Sequence, residues 1–129
     1  MRDLSALPDL NLALIQTTLA WHDRQANFEH FEQLLEQARG ADLIILPEMF
    51  TTGFSMESAT LAEAENGPTS KWLRGQAKKL NAVITGSVII QAADGSHRNR
   101  LLWARPDGEV WHCLLYTSPS PRADSYLVC

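Results

Sequence analysis

The chain has 129 residues, 45% of them apolar and 20% charged, with a formal net charge of -4. That is room for one modest globular domain. The charge leaves no basic footprint for nucleic acid, and no apolar run reaches the roughly 18 residues of a membrane span.

The opening "MRDLSALPDL" lacks the apolar core of a signal peptide, so a soluble cytoplasmic protein is expected. "LNLALIQ", Leu10 to Gln16, predicts a strand. Asp23 is the expected N-cap of a following helix. On that helix Phe28, Phe31, Leu34, Leu35 and Ala38 share one face, and Gly40 is expected to stop it. "ADLIILPE" then predicts a short buried strand. Strand, helix and strand within about 40 residues make a βαβ unit with parallel strands. A helical turn is expected near Ala59 to Ala64. "GPTSKWLRGQAKKLN" predicts a second helix capped by Thr69 or Ser70. Trp72, Leu73, Ala77 and Leu80 face inward, and Lys78 and Lys79 sit at its negative end. "AVITGSVII", Ala82 to Ile90, predicts a third strand. "RLLWA", "RPDGE" and "VWH" predict strand, turn and strand.

After His112 the pattern is lost. "CLLYTSPSPRADSYLVC" carries two Ser-Pro steps that cannot continue a sheet ladder. Residues 113–129 are therefore expected to be an atypical tail, disordered or of foreign sequence. Cys113 and Cys129 form neither a disulfide framework nor a metal-ligand pattern, and no bridge between them is expected.

The chemically informative stretch is "DLIILPEMFTTGF", Asp42 to Phe54. Ligand sites in open α/β sheets lie beyond the carboxyl ends of the strands, and Glu48 stands there. Among Met49, Phe50 and Phe54 it is expected to be partly desolvated, as suits a general base at neutral pH. A solvated loop acid is the plainer reading of the spacing alone. His22 and His97 are expected to be solvated loop histidines, and His30 to lie on the outer side of its helix. Thr51, Thr52 and Gly53 either shape a pocket or form a plain turn. "GSV", Gly86 to Val88, brings small residues near the site or merely packs the strands closely. Trp72, Trp103 and Trp111 are expected in the core or hairpin, since no basic patch accompanies them. No Gly-rich phosphate loop is present.

"LIILPEMFTTGF" resembles the first catalytic motif of the nitrilase superfamily, the carbon–nitrogen hydrolases. Gln16, Asn27, "NAVITGSVII" and "RNRLLWARPDGEV", with Asn99, agree with that family's flanking segments. "LPEMFTTGFSM" is most similar to the omega-amidase branch, which hydrolyses the terminal amide of 2-oxoglutaramate and related ω-amides. The resemblance covers residues 10–112. It implies an α/β fold, the N-terminal part of an αββα sandwich that is incomplete in this chain. It implies a small-molecule amide substrate, no cofactor, no metal, and a homodimer for the full-length relative. The family uses a Glu base, a Lys that stabilises the oxyanion and a Cys nucleophile. Only the Glu matches, at Glu48. The Lys is expected near Leu115, and neither cysteine stands in the nucleophile's context. The chain is therefore expected to be inactive, and marginal or aggregation-prone, with one sheet face uncovered. Two alternatives remain: a non-catalytic α/β binding module in which Glu48 is structural, or another amidase or carbamoylase branch of the same superfamily.

Overall fold

The computed structural model describes residues 3–55, 57–116 and 126–128. Strand β1 (Leu12–Leu14) leads to helix α1 (Arg24–Gln37) and strand β2 (Leu43–Ile45). A single turn α2 (Ser58–Leu61) and a two-residue strand β3 (Glu63–Ala64) precede helix α3 (Pro68–Leu80). Strands β4 (Val83–Gln91), β5 (His97–Ala104), β6 (Val110–Tyr116) and β7 (Tyr126–Val128) complete the order. The sheet runs β1-β2-β4-β5-β6-β7, with β3 on β4 beyond the end of β2. β1, β2 and β4 are parallel, whereas β4, β5, β6 and β7 are antiparallel neighbours. The expected βαβ unit is present, and the α/β class holds.

Local chemistry explains the helices. Asp23 caps α1 by accepting from the Ala26 N–H at 3.0 Å. Phe28, Phe31 and Leu35 are buried, and Leu34 and Ala38 pack partly against them. Gly40 follows the end of α1 with φ of 93°. For α3 the expected cap is corrected. Pro68 takes the first position and Gly67 offers no side chain, while Thr69 and Ser70 lie inside the helix. The cap comes from Glu63 instead, whose carboxylate accepts from the Thr69 N–H at 2.8 Å and its hydroxyl at 2.7 Å. Lys78 and Lys79 occupy the last turn as expected.

Both helices pack on one face of the sheet. The core joins Phe31, Leu35 and Leu73 to Ile44, Ile84 and Val88. Phe50 enters this layer edge-on to Phe31, with ring centroids 5.5 Å apart. Gly86 makes room for it, since a Cβ there would stand 2.8 Å from Phe50 Cδ1. The opposite face carries Leu12, Leu14, Ile45, Leu101, Trp103 and Trp111 by the strand registers. Neither α1 nor α3 covers it, and Leu14 and Trp111 are 75% and 58% exposed. A sheet apolar on both sides but covered on one suits strands built for a second layer.

Strand β6 runs to Tyr116, four residues past the break expected after His112, because its backbone groups pair with β5 and β7. Cys113 lies within it opposite Leu101 and is disulfide-bonded. This corrects the expectation that it takes part in no disulfide bridge. Cys129 and the Ser-Pro steps fall outside the described residues. No helix among the described residues is long and apolar enough to cross a membrane.

Candidate functional site

Glu48 stands just beyond the carboxyl end of β2, where a parallel sheet presents its ligand sites. Three contacts fix the backbone around it. Leu46 N–H donates to the Thr85 carbonyl at 2.8 Å. Met49 N–H donates to Ser87 Oγ at 2.8 Å, and Met49 takes a left-handed φ of 48°. Gly53 N–H returns to the Met49 carbonyl at 2.9 Å, with Gly53 at φ 82°. Residues 49–53 thus form a tight turn, as the Thr-Thr-Gly run allows. Ser87 serves this turn directly and Gly86 admits Phe50, so the "GSV" segment shapes the site from beneath.

The Glu48 carboxylate accepts from Asn99 Nδ2 at 2.6 Å. Asn99 lies on β5 opposite Ile89. Its Oδ1 is buried and has no hydrogen-bond partner. Glu48 itself is exposed, which corrects the expected desolvation. Met49 and Phe50 are buried, Phe50 within the core cluster, and Phe54 is 61% exposed, yet Glu48 remains open to solvent. Glu48 borders a cavity of about 220 Å³ together with Ile45, Thr85, Ser87, Leu101 and Leu115. Leu115 brings no charge or hydrogen-bond donor to the side chain's end of that cavity.

Behind this turn a buried amide ties two loops together. Asn27, fully buried on α1, donates to the carbonyls of Ala20 and Thr51, each at 2.8 Å, and accepts from the Ala20 N–H at 2.8 Å. It fastens the β1–α1 loop to the turn after Glu48. Periodicity gave no hint of this, because the partners lie 7 and 24 residues away.

The histidines differ from expectation. His22 Nε2 lies 2.9 Å from Ser55 Oγ, and Nδ1 lies 3.3 Å from Glu57 Oε2. Its ring stacks on Trp21 at 4.5 Å. It is a half-buried loop fastener, held by partners 33 and more residues along the chain. His30 is likewise half-buried, 2.8 Å from Thr17 Oγ1. His97 is exposed, as expected, but lies on β5 rather than in a loop, 3.2 Å from Ser58 Oγ. Among the described residues no three metal-ligating side chains converge.

The profile of the carbon–nitrogen hydrolase family matches residues 11–117. The omega-amidase YafV of Escherichia coli K12 is 43% identical over 104 residues, which is 81% of this chain and 40% of that protein. The omega-amidase YafV of Yersinia enterocolitica is 46% identical over 101 residues, 78% of this chain and 39% of that protein. The chain thus spans about two-fifths of the length of these curated relatives. The crystal structure of XC1258 from Xanthomonas campestris is described as a CN-hydrolase superfamily protein with an arsenic adduct in the active site. It superimposes with a TM-score of 0.79 at 45% identity, covering 84% of this chain and 41% of that one.

Proposed function

The chain belongs to the carbon–nitrogen hydrolase family, and from that premise we propose an omega-amidase-type reaction with Glu48 as its general base. In the whole enzyme a small ω-amide of the 2-oxoglutaramate type is hydrolysed to its acid and ammonia. Glu48 takes the proton of a cysteine thiol, and the thiolate attacks the amide carbon. A lysine stabilises the oxyanion that forms. Ammonia leaves with the proton returned by Glu48, and a thioester remains. Glu48 then deprotonates water, which releases the acid and regenerates the thiol. The whole enzyme on this reading is cytoplasmic and works as a homodimer.

One observation carries the reading: Glu48 and Leu115 line the same cavity. Position 115 is where the family resemblance expects the lysine, so base and oxyanion stabiliser would face one substrate there. A leucine stabilises no oxyanion. Cys113 sits mid-strand in a disulfide and is no nucleophile. The chain as it stands is therefore proposed to be inactive.

The test joins residues 1–112 to the C-terminal portion of the E. coli relative and measures ammonia release from 2-oxoglutaramate. Release that Glu48→Gln abolishes is the expected result. A folded chimaera whose turnover is untouched by Glu48→Gln removes the base assignment. The unmodified chain should release no ammonia.

A further inference from the structure

We propose that Asn99 is a positioning residue for Glu48: it holds one carboxylate oxygen and leaves the other free to exchange a proton. The inference rests on the assignment of Glu48 as base. Four observations support it. The Nδ2 to Oε1 distance of 2.6 Å is at the short end for an amide donor, as expected when the acceptor is charged. Asn99 is anchored on β5, paired opposite Ile89, so its donor is fixed by the sheet rather than by a loop. Glu48 is otherwise exposed and no second hydrogen bond to its side chain is present among the described residues, so this one contact sets its orientation.

The fourth observation is the unmatched Oδ1 of Asn99, which is buried and has no partner. Turning the amide over would set its oxygen against the carboxylate, acceptor facing acceptor. The carboxylate therefore dictates which way the amide lies, and the buried oxygen goes unmatched as a result. An unpaired buried acceptor carries a desolvation penalty. Polar groups left at such a cost concentrate at functional sites. A base must be held within hydrogen-bond reach of the proton it takes, and a freely swinging exposed glutamate is not. Asn99 supplies that constraint from a residue 51 positions away in sequence.

Two measurements on the intact chain test this. In the 15N-labelled protein the Asn99 side-chain amide protons should shift on Glu48→Gln, since the charged acceptor is removed. Carbodiimide-driven coupling of an amine to Glu48, followed by mass spectrometry, should accelerate severalfold in Asn99→Ala and in the near-isosteric, uncharged Asn99→Leu. The exposed Asp9 serves as the internal reference and should label at an unchanged rate. A merely space-filling role for Asn99 would be kept by leucine and would leave Glu48 labelling unmoved. Asn99 amide signals indifferent to Glu48→Gln overturn the proposal. So does Glu48 labelling as fast as Asp9 in the unsubstituted chain. Neither readout uses turnover, so an inactive chimaera would reject the reaction without touching this pair, and the reverse also holds.

Discussion

Ser87 Oγ accepts the Met49 backbone N–H at 2.8 Å, tying the middle of β4 to the residue after Glu48. Met49 holds a left-handed backbone, unusual for a long side chain. The contact is buried, so its loss cannot be made good by water. Ser87→Ala should therefore cost about 2 kcal/mol, the usual penalty for orphaning a buried donor. Urea denaturation should show a lower midpoint with an unchanged slope. A variant as stable as the parent would mean that the turn finds another acceptor.

Glu63 offers a second case. Its side chain is only 3% exposed, pairs with Arg24 Nε at 3.1 Å and caps α3 through Thr69. Glu63→Gln leaves the partner charge and removes one acceptor. A broken buried ion pair costs about 3–5 kcal/mol; the low end, about 3, applies because Arg24 is one-third exposed. The helix signal in circular dichroism should melt earlier together with the sheet, since α3 and α1 both lose an anchor.

Acid should act through Glu36. Hydrogen bonds from Arg39 and then Lys79 lower its pKa from 4.5 to about 2. A carboxyl depressed in the folded state stabilises the fold above its unfolded pKa. That contribution is lost as the pH falls from about 4.5 towards about 2. The pair is at the surface, so the effect is small and screened by salt. Melting temperatures of the parent and Glu36→Gln should differ most above pH 4.5 and converge near pH 2. A constant difference across that window would contradict the assignment.

The uncovered sheet face should make the isolated chain self-associate. Leu14 and Trp111 are its most exposed large side chains, and by register the face carries no charge across β1, β2 and the lower half of β4. Fully burying a leucine contributes about 1.5–3 kcal/mol, and about 1.4 kcal/mol is a factor of ten in affinity. Leu14→Lys should thus weaken association by about tenfold or more in sedimentation velocity. A parent chain that stays monomeric at high concentration would refute this.

Some of this molecule was open to reading along the chain. Asp23, the apolar stripe of Phe28, Phe31 and Leu35, and the lysines closing α3 act within a turn or two, so local spacing reveals them. The parallel βαβ start follows from two short apolar strands around one helix, and Glu48 follows from its place after the second. What pairing between distant segments decides was hidden. Asn27 joins loops on both sides of α1, and Glu63 takes over a cap that Thr69 and Ser70 promised. His22 finds Ser55, β6 extends because β5 and β7 offer it partners, and Glu48, exposed beyond β2, is held by Asn99 from β5, two strands across the sheet. The physical reason is common to all of them. Periodicity encodes which side of an element is apolar, whereas a hydrogen bond across 24 or 51 residues exists only once the sheet has brought its two ends together.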